Sequence, residues 1–147
     1  LWINTTRLQL DNVLKYVSIL LVNKSEAELL TGCSSPEKAG QKLLQYGMEK
    51  VVIKLGSHGA LLIDKINQIR IGAYPVKNVV DPTGAGDVFA GAFAGVLNSH
   101  GTAREALVQA SALASICVEG FGVEKILEWD RGETAKRVSY LEGTLDL

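Results

Sequence analysis

Short unbroken apolar runs alternate with helical spacings along the first half of the chain. Ser18-Ile19-Leu20-Leu21-Val22 and Val51-Val52-Ile53-Lys54-Leu55 have the pattern of strands buried on both faces, as in a parallel sheet. Between them, Asn23 to Leu30 opens as a helix and Thr31-Gly32 stops it. Ser35-Pro36-Glu37 opens another, with a cap serine, proline at the first helical position and an acid in the first turn. That helix runs through Ala39, Leu43 and Leu44 to a stop at Gly47. Ahead of the first strand, Asp11 is predicted to cap a helix reaching Tyr16, with Val13, Leu14 and Val17 on one face. After the second strand, Gly56-Ser57-His58-Gly59 turns the chain and Ala60 to Asp64 forms a third strand. Asn67-Gln68 then marks a hairpin into Ile69-Arg70-Ile71.

The second half is helical. Val88 to Leu97 is apolar nearly all round and rich in alanine and glycine, which predicts a buried, closely packed helix. Thr102-Ala103-Arg104-Glu105 is a capping box. It starts a helix with Ala106, Leu107, Ala110, Leu113, Ala114 and Cys117 on one face, broken at Gly120-Phe121-Gly122. Glu133 to Leu141 reads as a last amphipathic helix. Strands separated by helices point to α/β layers, with the later hairpin adding antiparallel strands at one edge of a mixed sheet. There is no internal repeat, low-complexity segment or interdomain linker.

Composition narrows the partners. At 147 residues the chain suffices for one domain with a core of its own. Its net charge of -1 and lack of a basic run disfavour nucleic acid. No apolar run is long enough to span a membrane, and no signal peptide is visible. Cys33 and Cys117 lack metal-ligand spacing. They read as buried thiols of a reducing, cytoplasmic compartment, with a disulfide as the alternative. The chain starts at Leu1 and its single methionine is Met48, so a processed chain, an engineered chain or a fragment is expected.

The chemistry concentrates in Val80-Asp81-Pro82-Thr83-Gly84-Ala85-Gly86-Asp87-Val88-Phe89. Glycines there permit a positive φ and a close backbone approach. Successive amides in such a turn make a concave anion site, and the helix that follows adds unpaired donors and a partial positive charge. Asp87 falls in the first turn of that helix. Two interpretations stand side by side. The aspartate stabilises the helix start, or it is a general base beside a bound phosphate.

Asp81-Pro82-Thr83-Gly84-Ala85-Gly86-Asp87 resembles the second signature, D-x-x-G-A-G-D, of the ribokinase-like PfkB family of sugar and nucleoside kinases, and matches it at every key position. Asn23-Lys24-Ser25-Glu26 resembles the family's N-x-x-E motif and follows a buried strand. Lys54-Leu55-Gly56-Ser57-His58-Gly59 resembles its strand-turn element on the nucleotide side. The resemblance implies a three-layer, Rossmann-like α/β fold with a mixed sheet flanked by helices. Residues 1–147 would be its C-terminal, ATP-binding portion, without the N-terminal half and the β lid. It implies ATP-dependent phosphoryl transfer to a hydroxyl of a sugar, sugar phosphate or nucleoside.

The family's roles fall on matching positions. Asp87 would be the catalytic base, and the backbone of Gly84, Ala85 and Gly86 the anion hole. Glu26, with Asn23, would organise Mg2+ and its waters. Gly56 and Gly59 would let the backbone approach the nucleotide. Thr83 and Gly120 join the nucleotide-binding set, the loop at Gly120-Phe121-Gly122 flanking the adenine. Asp81 and neighbouring carbonyls would build the monovalent-cation (K+) site of some members. Lys54 stands where many members carry threonine, and either reaches a phosphate or ends a strand. The residues themselves keep other interpretations open. Asn23 and Ser25 are both good caps, and Ser25-x-x-Glu28 is itself a capping box. His58 reads as a solvated turn residue, and Trp2 and Trp129 carry no ligand argument.

With half the fold absent, the chain alone is expected to be inactive or weakly active, completed by an N-terminal part or a second copy. A sheet cut in mid-order invites such association. The alternative from another class is a non-catalytic nucleotide-binding or interaction module. A dehydrogenase is disfavoured because no G-x-G-x-x-G follows an early strand.

Overall fold

A computed structural model describes residues 6–128 and 130–146. Trp2 and Trp129 lie outside them. The chain divides into two compact units. The first is the chain up to Gly56 together with Ala60–Arg70, and the second is Ser57–Gly59 with Ile71–Asp146.

In the first unit, α1 (Arg7–Leu14), β1 (Ile19–Asn23), α2 (Lys24–Thr31), α3 (Pro36–Leu44), β2 (Lys50–Lys54), β3 (Ala60–Asp64) and β4 (Gln68–Ile71, whose last residue belongs to the second unit) follow in order. The strands form one mixed sheet, β1-β2-β3-β4. β1 pairs parallel with β2, placing Asn23 opposite Lys54, and β2 pairs antiparallel with β3, placing Lys54 opposite Ala60. Val51, Val52 and Ile53 are wholly buried, as an unbroken apolar run predicts for a central strand. β1 departs from that expectation: only Val22 is buried and Ile19, Leu20 and Leu21 are half-exposed. The cause is position, since β1 is the sheet edge among the described strands.

Local chemistry sets the helix boundaries. Asn23 Oδ1 accepts from the Glu26 amide and Glu26 Oε2 accepts from the Asn23 amide, both at 2.8 Å. This closes a capping box at α2. The competing Ser25–Glu28 box does not form, because α2 begins at Lys24 and Ser25 lies inside it; the Glu28 carboxylate accepts from the Ser34 hydroxyl. Ser35 caps α3. Gly40 lets α3 lie against β3, where a methyl group would collide with Ile63. At the β3–β4 turn, Asp64 Oδ1 accepts from the amides of Ile66 and Asn67.

Asp11 is not the cap of α1. The helix begins at Arg7, and Asp11 sits inside it, accepting from Arg7 Nε at 2.9 Å. The Arg7 guanidinium also donates to the Leu30 carbonyl and the Tyr46 hydroxyl. These contacts tie the first turn of α1 to the end of α2.

The second unit holds α4 (Ala85–Asn98), α5 (Ala103–Cys117), α6 (Glu124–Leu127) and α7 (Arg131–Glu142). The Thr102–Glu105 capping box forms at α5, and Asp130 caps α7. α5 is the core helix, with Ala106, Leu107, Val108, Ala110, Ala112, Ile116 and Cys117 buried. It packs against both α4 and α7. α4 is less buried than its composition predicts: only Phe89 and Phe93 are enclosed. The reason is that α4 meets chiefly one helix, α5, so the rest of its small-residue surface faces outward. Cys117 is a buried free thiol as expected, whereas Cys33 is only half-buried. No described helix is long and apolar enough to cross a membrane.

Candidate functional site

In the second unit, the 81–87 segment makes the turn that opens α4. Asp81 accepts from the Thr83 amide through Oδ1 (2.9 Å) and from the Gly122 amide through Oδ2 (3.2 Å). Those amides hold its carboxyl below the usual aspartate range. Gly84 is the N-cap of α4, with φ +83°, a left-handed conformation that glycine adopts without strain. The Ala85 amide donates to the Pro82 carbonyl and the Asp87 amide to the Gly84 carbonyl. The amides of Gly84 and Gly86 have no partner among the described residues. Asp87 is exposed in the first turn of α4, and its carboxylate likewise has no partner among the described residues. Two aspartates of one motif are thus differently committed. Asp81 is bound up in backbone hydrogen bonds, and Asp87 is available.

The loop after α5 lies against this turn. Val80 and Asp81 amides both donate to the Val118 carbonyl. A side chain at Gly84 would come within 3.5 Å of Val123 and 3.6 Å of the Gly122 carbonyl. Gly122 is left-handed at φ +54°. The Cys117 thiol donates to the Gly122 carbonyl at 3.0 Å and reaches the Thr83 carbonyl at 3.9 Å. Burial, and then the charge of Asp81, push that thiol's pKa up. Glu119, just before Gly120, pairs with Arg137 of α7. Arg137 also binds Glu133 and the Ser115 hydroxyl and lies over the Tyr74 ring. Motif reading did not find Cys117, Glu119 and Arg137. The one signal available was the apolar face of α5 that carries Cys117.

In the first unit, Asn23 and Lys54 end the parallel strands β1 and β2 side by side. The carboxyl ends of strands are where open α/β sheets hold ligands. Lys54 is half-buried. Glu26 commits Oε2 to its cap, which leaves its other oxygen free among the described residues. A hard carboxylate oxygen of this kind suits magnesium held mostly by water and phosphate. No described group of three or more His, Cys, Asp or Glu could form an all-protein metal cage. Gly56 is exposed, left-handed at φ +61°, and has open space where a side chain would be. Gly59, counted with the second unit, is required by its own chain, because a side chain there would strike the Ile71 carbonyl. His58 is exposed, as a turn residue should be.

The sequence profile of the pfkB family of carbohydrate kinases matches residues 1–130. A ribokinase of Arabidopsis thaliana is 36% identical over 115 residues, covering 74% of this chain and 30% of that protein. The solved structure of Arabidopsis thaliana ribokinase complexed with ribose and ATP shares 33% identity and superposes at a TM-score of 0.77, over 87% of this chain and 43% of that one. A putative ribokinase II from E. coli, solved with ATP and Mg2+, shares 31% identity at a TM-score of 0.81, over 94% of this chain and 44% of that one. The chain therefore spans less than half the length of these relatives. The mixed-sheet α/β architecture is theirs. On the profile match, the relatives' identity and the D-x-x-G-A-G-D turn, this chain belongs to the pfkB family of carbohydrate kinases.

Proposed function

We propose that this chain is the nucleotide-side portion of an ATP-dependent kinase that phosphorylates a hydroxyl of a sugar, sugar phosphate or nucleoside. The observation that carries the proposal is the 81–87 turn. Two amides without partners among the described residues, those of Gly84 and Gly86, flank a helix start that also presents the Asp87 carboxylate, likewise without a partner among them. The acceptor hydroxyl oxygen attacks the γ-phosphorus of ATP. The new O–P bond forms as the bond to the β-phosphate oxygen breaks, and ADP leaves. The hydroxyl proton passes to the Asp87 carboxylate, a contribution of about 10²–10⁴ in rate for a positioned base. The Gly84 and Gly86 amides and the N-terminal end of α4 stabilise negative charge on the transferring group.

Glu26, with Asn23, would hold Mg2+ and its waters, and the metal would supply charge neutralisation at the phosphates. Lys54 and Gly56, at and just beyond the end of β2, and Thr83, Gly59 and Gly120 line the nucleotide side in the same proposal. A K+ ion would take the Asp81 carboxylate and neighbouring backbone carbonyls as its oxygen donors, a donor set that suits a hard cation. The acceptor would be held by the remainder of a larger kinase domain, consistent with a chain under half the relatives' length. The 147 residues alone would turn over weakly or not at all, completed by an N-terminal part or a second copy.

The test is a titration of ATP and Mg2+ into the chain, paired with a turnover assay on a panel of sugars and nucleosides. ATP binding without turnover, and turnover once the missing part is supplied, is expected. No ATP binding sinks the proposal, and robust turnover by the chain alone sinks the claim of incompleteness. The second reading is a non-catalytic nucleotide-binding module that keeps the same turn and fold. Asp87→Asn separates them in the full-length protein, because only a kinase loses turnover while retaining ATP.

A further inference from the structure

Asp81 and Cys117 each touch the same two residues. Asp81 takes the amides of Thr83 and Gly122, at 2.9 and 3.2 Å. Cys117, the last residue of α5, directs its thiol at the carbonyls of Gly122 and Thr83, at 3.0 and 3.9 Å. One side chain thus holds the amides of this pair and the other their carbonyls. Below them, the Val80 and Asp81 amides close on the Val118 carbonyl, at 2.7 and 3.3 Å. A thiol is a weak donor and a carboxylate a strong acceptor, so the carboxylate carries most of the holding and the thiol sets the alignment.

We propose that Asp81 and Cys117 are positioning residues, a clasp that fixes the anion-binding turn against the 119–123 loop through Thr83 and Gly122. The orientation of the Gly84 and Gly86 amides then depends on the far loop as well as on their own helix. The clasp rests on the kinase proposal for its use, but not for its existence.

Amide hydrogen exchange on the 147-residue chain tests it, with ATP titration alongside. Asp81→Asn removes one acceptor oxygen, and exchange at Thr83 and Gly122 should quicken about tenfold or more. Cys117→Val is the decisive variant, because neither amide is bonded to Cys117. The same two amides should quicken, the β2 amides should keep their rates, and ATP affinity should fall about threefold or more. Cys117→Ser retains a donor and should restore protection. Unchanged exchange at Thr83 and Gly122 in Cys117→Val overturns the clasp. So does acceleration spread evenly along α5, which marks a packing defect instead. If the native chain binds no ATP, the kinase proposal fails while the exchange pattern still decides the clasp.

Discussion

Asp81 and Asp87 stand in different surroundings within a single motif, one accepting from two backbone amides and the other exposed. Asp87 has no partner among the described residues, and if it is the base of the proposed kinase, Asp87→Asn in the full-length protein should lower kcat by about 10²–10⁴-fold with ATP affinity retained, measured by steady-state kinetics. Asp81 is held by the Thr83 and Gly122 amides, which depress its pKa. Its contribution to stability is therefore complete above the unfolded aspartate value of about 3.9 and is lost as pH falls through the lower folded value. Acid unfolding followed by fluorescence should show Asp81→Asn losing its deficit relative to the native chain below about pH 4. Gly84 is constrained by backbone geometry. At φ +83°, Gly84→Ala should cost about 1–2 kcal/mol in chemical denaturation and weaken ATP binding with it. Asn23 needs two substitutions to separate its roles. Asn23→Ala loses the cap of α2, about 1 kcal/mol, whereas Asn23→Ser keeps a cap acceptor. A magnesium requirement altered in both variants, with stability lost only in the first, is expected if Asn23 also serves the metal.

Element boundaries were legible where the signal is local. The Thr102–Glu105 box, the Ser35 cap and the left-handed Gly32 at the end of α2 all depend on residues within a turn of one another. The Asn23–Glu26 pair was legible as a motif but not as a box, because Ser25–Glu28 offered a rival of the same form. Features set by distant partners were not legible. Asp11 lost the helix start to Arg7, whose guanidinium finds carbonyls on α2 and the Tyr46 hydroxyl. β1 and α4 carry apolar sequences but meet fewer neighbours than those sequences can cover. The candidate site divides in the same way. The D-x-x-G-A-G-D turn is readable by eye, but the approach of Cys117 and Gly122 to Thr83 comes only from folding the chain back.

At the scale of the whole molecule, the candidate residues are shared between two compact units, with Asn23, Glu26, Lys54 and Gly56 in one and Asp81–Asp87 with the 117–122 segment in the other. Arg137 belongs to the second unit but lies beyond the family profile. The family profile ends at residue 130, yet the Arg137 side chain is 5% exposed and ties Glu119, Glu133 and Ser115 together over the Tyr74 ring. Glu119 keeps a third of its side-chain surface in water, so Arg137→Met should cost about 1–3 kcal/mol in thermal melts. An expression boundary drawn at residue 130 would discard that cation together with the wholly buried Leu141, and the shortened product should aggregate. The stretch matched by the family profile and the packed core of the second unit do not end at the same residue.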